Sequence, residues 1–172
     1  AVRRSTAQVG DRIFVSGTIG DAGLGLARLQ DGAGDADHLA QRYQLPDPRV
    51  SLGSALRGTA TAMADVSDGL LADLGHICEA SSLGAIVEAS AVPVSDAARL
   101  AIGPEDTDVL GLLTSGDDYE LVFTVPPGRI DHVHKASVQA GTPVTEIGRM
   151  EGVPGEVTVK GSDGGDITPE KT

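Results

Sequence analysis

Glycine and proline divide this chain into short segments, and their placement limits the folds that it can adopt. The 172 residues include 23 glycines and 9 prolines. Between these breaks, alternating or β-branched runs indicate strands, whereas apolar residues at helical spacing indicate helices. We therefore expect a fold built from many short elements packed around a shared core.

The pattern of the segments predicts which of them are strands and which are helices. We predict strands at 11–17, 59–66, 84–90, 118–125, 143–150 and 155–161. We predict helices at 21–30, 38–44, 49–58, 69–80, 95–102, 107–113 and 129–140, with a loop at 32–37. Leu70, Leu71, Leu74, Ile77 and Cys78 recur at helical spacing in the helix at 69–80.

The interleaved elements predict an α+β fold, a layered helix/sheet/helix domain with a mixed, largely antiparallel sheet. Some neighbouring strands lack room for the crossover helix that parallel pairing requires. The length suits one domain of ordinary size, which we place at residues 1–161. Residues 162–172 are polar, and we expect a mobile tail there.

Charge and cysteine content exclude several classes of function. A formal net charge of −12 and 2% aromatic residues argue against nucleic acid as a partner. Excess carboxylates fit divalent cations better.

The single cysteine, Cys78, cannot form an internal disulfide, so we expect a cytoplasmic protein. There is no apolar run of about 18 residues, so we expect no membrane span. The start at Ala1, without methionine, indicates part of a longer chain or a processed product.

The segment "MADVSDGLLADLGHI" is the first candidate for chemistry. A strand ending at Asp65 and a helix beginning near Gly69 would leave Ser67 and Asp68 at the amino end of the helix. Unpaired amides there attract anions, and carboxylates alongside can hold magnesium. The alternative is that Ser67 or Asp68 only caps the helix.

The segment "SGDDYELVF" is the second candidate. On a strand, Asp118 and Glu120 would share one face, because side chains alternate. This acidic pair, entered through a glycine turn, would be well placed to meet a ligand. The alternative is an exposed acidic turn.

A third segment, "GTIGDAGLG", has glycines that permit close approach of a ligand to the backbone, with Asp21 as a helix cap. Its spacing matches neither a Walker loop nor a dinucleotide fingerprint. His132 and His134 are poorly spaced for a metal, and we expect His38 and His76 to be isolated. A zinc enzyme or a covalent hydrolase is therefore disfavoured.

Four segments together resemble the C-terminal domain of the thiamine-monophosphate kinase family, which belongs to the aminoimidazole ribonucleotide synthase superfamily. They are "RRSTAQVGDRIFVSGTIGDAGLGLARL", "PDPRVSLGSAL", "DVSDGLLADLGHI" and "SGDDYELVFTVP". The resemblance implies an enzyme that uses ATP and Mg2+ to phosphorylate thiamine monophosphate directly. It also implies an absent N-terminal domain, which supplies most of the ATP pocket and the contact of a homodimer.

The resemblance assigns roles to five residues. It implies that Asp65 and Asp68 ligate magnesium, that Ser67 contacts the nucleotide phosphates, that Arg4 reaches ATP and that Glu120 contacts the thiamine substrate. With half of the pocket missing, we expect this chain alone to be inactive. Two alternatives stay open, namely a superfamily member with a different phosphate acceptor and a free-standing non-catalytic assembly domain.

Overall fold

The computed structural model describes residues 2–32, 34, 37–103 and 105–169. The strands in these residues are β1 Arg12–Ser16, β2 Ala62–Asp65, β3 Gly84–Glu88, β4 Leu121–Val125, β5 Val144–Glu151 and β6 Val157–Lys160. The helices are α1 Asp21–Gln30, α2 His38–Gln44, α3 Val50–Ala55, α4 Leu70–Ser81, α5 Asp96–Ala101, α6 Asp106–Leu113 and α7 Ile130–Ala140. Part of the predicted loop at 32–37 and the last three residues of the predicted tail lie outside the described residues.

The six strands form one sheet in the order β2-β4-β1-β5-β3-β6. Four of the neighbouring pairs are antiparallel, and only β3 with β6 is parallel. The prediction of a mixed, largely antiparallel sheet is therefore confirmed. The connection from β3 to β6 contains α5, α6, β4, α7 and β5, which leaves ample length for the crossover that a parallel pair requires.

Helices cover both faces of the sheet, as the layered prediction requires. On β1, Ile13 and Val15 belong to a core that includes α4 and α6, whereas Phe14 belongs to a second core with α3 and α7. This split follows from the alternation of side chains along a strand. The central strand β1 is consequently buried on both faces, which explains its continuous apolar sequence.

Two predictions at the ends of elements were wrong. The strand predicted from 118 begins at Leu121, because Asp117 and Tyr119 have φ values of 67° and 52°, which a strand does not accept. Asp21 does not cap α1 either. Gly20 holds the N-cap position with a left-handed backbone, a conformation that glycine adopts readily.

The described part of the predicted tail makes hydrogen bonds with β6. The amide of Ile167 donates to the carbonyl of Val159 over 2.9 Å, and the hydroxyl of Thr168 accepts from the amide of Val159 over 2.8 Å. Ile167 also packs against the larger core. Up to residue 169, this segment therefore lies on the domain.

Cys78 is buried in the larger core, in agreement with the packing role that its helical position predicts. Burial raises the pKa of its thiol to about 11. Within the described part of the chain, the helices are all too short or too polar to cross a membrane.

The Phe14 and Phe123 rings link the central strands, and they generate a stability prediction. The rings stack with centroids 5.7 Å apart and an interplanar angle of 13°, and both side chains are fully buried. We expect Phe123→Ala to lower the free energy of unfolding by about 3–5 kcal/mol, because it leaves a cavity between two helices and the sheet.

Urea unfolding at constant pH measures this change. Val153→Ala is the control, since Val153 is 69% exposed, and it should alter the free energy of unfolding by no more than about 0.5 kcal/mol. A loss below about 1 kcal/mol in the Phe123 variant would contradict the packing described here.

Candidate functional site

Three loops converge at one end of the sheet. The chain leaves β1 after Ser16 and β2 after Asp65, and it enters β4 at Leu121. Because β4 is antiparallel to both β1 and β2, the loops at 17–20, 66–69 and 114–120 meet at the same end. All of the glycine-rich and acidic segments singled out in the sequence contribute to this end.

Backbone hydrogen bonds join the loop at 114–120 to the loop after β2. The amide of Asp117 donates to the carbonyl of Ser67, and the amide of Tyr119 donates to the carbonyl of Val66, each over 2.9 Å. In return, the amide of Val66 donates to the carbonyl of Glu120 over 2.8 Å. A Cβ at Gly116 would lie 2.4 Å from the Ser67 carbonyl oxygen, so this contact requires glycine.

The hydrogen bonds at the start of α4 exclude the simple capping role for Ser67 and Asp68. The N-cap residue is Gly69, with φ of 112°, and no side chain caps the helix there. Instead, the Oδ2 atom of Asp73 accepts from the amides of Ser67 and Asp68 over 2.9 and 3.0 Å. These two amides are therefore engaged within the protein, and the side chains of Ser67 and Asp68 remain as the groups that can meet a ligand.

A group of potential metal ligands lies at the same helix start. One ligand atom each from Asp68, Asp73 and His76 lie within 4.8 Å of one another. Asp68 and His76 are exposed and Asp73 is buried. The prediction that His76 is isolated was wrong, because residues three positions apart on a helix are neighbours. Asp65, the other predicted magnesium ligand, is not a member of this group.

Asp65 lies beside Arg4 at the end of β2. Their Oδ1 and Nη2 atoms are 3.8 Å apart, and both side chains are about half exposed. The contact arises because the N-terminal segment runs along β2, where the carbonyl of Arg3 accepts from the amide of Met63 over 3.1 Å. The structure therefore brings Arg4 and Asp65 to the same end of β2 as Ser67 and Asp68.

The side chain of Glu120 is fully buried and is surrounded by protein donors. It accepts from Ser16 Oγ over 2.5 Å and from Arg42 Nη2 over 3.0 Å. Arg49 binds both of its oxygens, through Nε and Nη2 at 2.7 Å each, and this contact raises the pKa of the Arg49 guanidinium. Such a bidentate, charge-assisted pair is among the strongest polar contacts in proteins.

Sequence reasoning missed Arg42 and Arg49. The available signal was the scarcity of cations, since the whole chain has 13 Lys and Arg residues against 25 Asp and Glu residues. Arg42 and Arg49 lie on either side of the segment "PDP" at residues 46–48, and each is therefore a candidate to pair with a buried carboxylate. Their common partner, Glu120, is 78 and 71 residues away along the chain, and no periodicity links positions that far apart.

Asp118 is also buried, so the alternative of an exposed acidic turn is wrong for both carboxylates. Its oxygens accept from the amides of Gly20 and Ala22 at the start of α1, over 2.7 and 3.2 Å. The pKa of Asp118 is raised to about 6, chiefly by burial and to a smaller extent by Asp21, although the two amides and Arg42 act to lower it. Asp118 thus binds two buried amides at the start of α1, which have no partner within the helix.

Comparison with known proteins gives consistent matches. Residues 8–160 match the family model described as AIR synthase related protein, C-terminal domain. A thiamine-monophosphate kinase of Escherichia coli is 44% identical over 155 residues, which are 87% of this chain and 47% of that protein. The chain therefore spans about half the length of the curated relatives that it matches.

Solved structures agree with these matches. The crystal structure of a thiamine-monophosphate kinase from Stenotrophomonas maltophilia is 44% identical, with a TM-score of 0.85 over 95% of this chain and 53% of that one. A structure described as AaThiL complexed with AMPPCP and TMP is 31% identical, with a TM-score of 0.79 over 98% of this chain and 52% of that one.

The buried Glu120 cluster generates the second stability prediction. We expect Glu120→Gln to lower the free energy of unfolding by about 3–5 kcal/mol, because the largely buried guanidinium groups of Arg42 and Arg49 then lose their shared buried counter-charge, and Arg49 keeps only the exposed carboxylate of Asp47. The matched control is Glu146→Gln, since the Arg12–Glu146 pair is 3.4 Å apart with side chains 42% and 39% exposed. This control should cost less than about 1 kcal/mol in urea unfolding, and equal losses in both variants would contradict the assignment.

Asp118 generates a prediction on pH. Its pKa is raised from 3.8 to about 6 in the folded protein, so the folded state holds the proton more tightly than the unfolded state. The stabilising contribution is complete below about pH 3.8 and is lost as the pH rises through about 6. Between these values the wild type should lose about 1–3 kcal/mol of unfolding free energy relative to Asp118→Asn. Urea unfolding of both proteins from pH 4 to pH 7.5 measures the difference, and parallel profiles would contradict it.

Proposed function

We propose that this chain is the substrate-side half of a thiamine-monophosphate kinase. The chain belongs to the AIR synthase related protein family, because its residues 8–160 match the C-terminal domain of that family. The reaction would transfer the terminal phosphoryl group of ATP to the phosphate of thiamine monophosphate. The observation that carries the proposal is the set of exposed carboxylates beside Ser67, at the end of β2.

The chemistry of the donor set fits a divalent cation. Asp65 and Asp68 would hold Mg2+, since carboxylate oxygens are the ligands that Mg2+ prefers. Both side chains are accessible, and Asp73 and His76 add potential ligands beside Asp68. When bound, Mg2+ neutralises phosphate oxygens, so that two phosphate-bearing reactants can approach each other.

The protein groups around this site would position the reactants, because direct phosphoryl transfer needs no protein nucleophile. The side-chain hydroxyl of Ser67 would contact the nucleotide phosphates. Arg4 would reach ATP, and its side chain is 50% exposed next to Asp65. A guanidinium is well suited to this task, since its planar donors match phosphate oxygens.

Glu120 would contribute to substrate binding indirectly. Its oxygens already accept from Ser16, Arg42 and Arg49, and its side chain is 0% exposed. A direct contact with thiamine would break charge-assisted bonds in the buried cluster. We therefore propose that Glu120 fixes Arg42 and Arg49 and, through them, the segment between α2 and α3.

The rest of the site would come from outside this chain. Because the chain spans about half of its relatives, we propose that an N-terminal domain supplies most of the ATP pocket and further aspartates. That domain would also form the contact of a homodimer. The chain by itself would then have no measurable kinase activity, and the whole protein would work in the cytoplasm.

Restoring an N-terminal half tests the proposal. We expect the chain, joined to the N-terminal half of the Escherichia coli relative, to convert thiamine monophosphate into thiamine diphosphate with Mg2+ and ATP. The chain alone should give no product. The intact Escherichia coli enzyme is the positive control. Absence of product from a folded fusion would contradict the proposed function.

Asp68 provides the sharpest test of the metal ligands. We expect Asp68→Asn in the fusion to lower kcat by about 100-fold or more, because charge neutralisation at the transferred phosphate is lost. The midpoint of urea unfolding should stay the same, since Asp68 is exposed. Asp131→Asn on α7 is the matched control and should leave kcat unchanged. Unchanged turnover in the Asp68 variant would leave that carboxylate without a catalytic role.

A further inference from the structure

Two arginines line one small pocket, of about 330 Å³, next to the start of β2. Its lining consists of Val2, Arg3, Thr6, Arg57, Gly58, Ala60 and Thr61. Of these described residues two are cationic and none is acidic, in a chain whose formal net charge is −12. Asp11, which accepts from the Thr61 hydroxyl over 2.5 Å, is buried and does not line the pocket. The local charge of the pocket is thus opposite to that of the whole chain, which favours an anionic ligand.

The guanidinium groups of Arg3 and Arg57 are available to such a ligand. Both residues are exposed, and neither forms an ion pair with any residue that the structure describes. Other arginines of the chain each lie within 4.0 Å of a carboxylate, namely Arg4, Arg12, Arg42, Arg49 and Arg149. An unpaired guanidinium keeps its planar fork of donors free, and this fork matches the oxygens of a phosphate group.

Hydrogen bonds fix the backbone on both sides of the pocket. On one side, the carbonyl of Arg3 accepts from β2, and the hydroxyl of Thr6 donates to the carbonyl of Thr61. On the other side, Nη1 of Arg129 donates to the carbonyl of Gly58. Gly58 has a φ of 78°, a conformation that glycine adopts readily. The pocket is therefore formed before a ligand arrives, which limits the entropy lost on binding.

The pocket lies at the opposite end of β2 from the proposed magnesium and phosphate site. Residues 57–61 come before β2, whereas Ser67 and Asp68 come after it. The strand has four residues, and at about 3.4 Å per residue it separates the two places by more than about 10 Å. A phosphate group bound beside Arg57 would consequently not be one that Ser67 contacts.

We infer that Arg3 and Arg57 form a second anion site, which binds the dianionic phosphate group of a small organic molecule. Two unpaired guanidinium charges match a dianion, whereas a single negative charge would leave one of them without a partner. The volume lies at the lower end of the range for small-molecule pockets, and Val2 and Ala60 supply apolar surface for the organic part. The inference does not rest on the proposed function, because these residues have no part in it.

A titration of the chain with inorganic phosphate, followed by two-dimensional amide NMR spectra, tests the site. The ionic strength is held constant, and EDTA keeps magnesium away from Asp65 and Asp68. We expect the amide signals of Gly58 and Thr61 to shift with a saturable dependence on phosphate. Arg3→Gln and Arg57→Gln should each raise the Kd by about five-fold or more, because each removes one charge-assisted contact.

Two control variants separate this site from other causes of phosphate binding. Arg28→Gln removes the same charge from an exposed position on α1, and the Kd should stay unchanged. An equal rise of the Kd in Arg28→Gln and in Arg57→Gln would show a general effect of net charge and would overturn the site. Ser67→Ala should also leave the Kd unchanged. Loss of binding in Ser67→Ala would assign the phosphate to the site after β2 and would overturn the inference, while the proposed function would stand.

Acetate and glycerol phosphate, as further probes, test the class of ligand. Acetate carries a single negative charge, so we expect it to bind at least about five-fold more weakly than phosphate. Equal Kd values for acetate and phosphate would overturn the selectivity for a dianion. Glycerol phosphate should bind at least as tightly as inorganic phosphate, and weaker binding would overturn the organic part of the proposal. Amide signals of Gly58 and Thr61 that do not shift with either phosphate would overturn the site altogether.

Discussion

Two buried carboxylates, Asp118 and Glu120, organise this domain from a single loop. Asp118 binds the first amides of α1, and Glu120 binds Arg42 on α2 and Arg49 at the start of α3. Elements that are distant in sequence are thereby fixed to the start of β4. Buried charges are costly unless they are paired, so these contacts constrain where α1, α2 and α3 can lie around the end of the sheet.

The same loop also links the core to the candidate site. Its backbone is hydrogen-bonded to Val66 and Ser67, and the alternation of inward and outward side chains leaves Asp117 and Tyr119 at the surface. Asp73 acts similarly from within α4, because it binds the amides of Ser67 and Asp68. The buried carboxylates of Asp118 and Asp73 therefore hold the backbone, whereas the exposed carboxylate of Asp68 remains available to a cation.

Much of the fold could be predicted because it depends on local patterns. The bounds of α1 and α2 and the antiparallel character of the sheet follow from apolar periodicity, glycine and connection length. The segment at 118–120 was wrongly predicted as strand, since alternation of side chains does not reveal positive φ. Capping by Ser67 or Asp68 was a reasonable alternative from composition, and the carboxylate of Asp73 replaced it.

The sequence by itself determined the family, the layered α+β architecture and the segments that carry the chemistry, because these depend on residue types at short spacing. The tertiary structure alone decided which carboxylates are buried and which are exposed. It paired Glu120 with Arg42 and Arg49, grouped Asp68 with Asp73 and His76, and brought Arg4 to Asp65. The physical reason is that burial and long-range charge pairing are set by where the strands and helices meet in space, and spacing along the chain does not encode that.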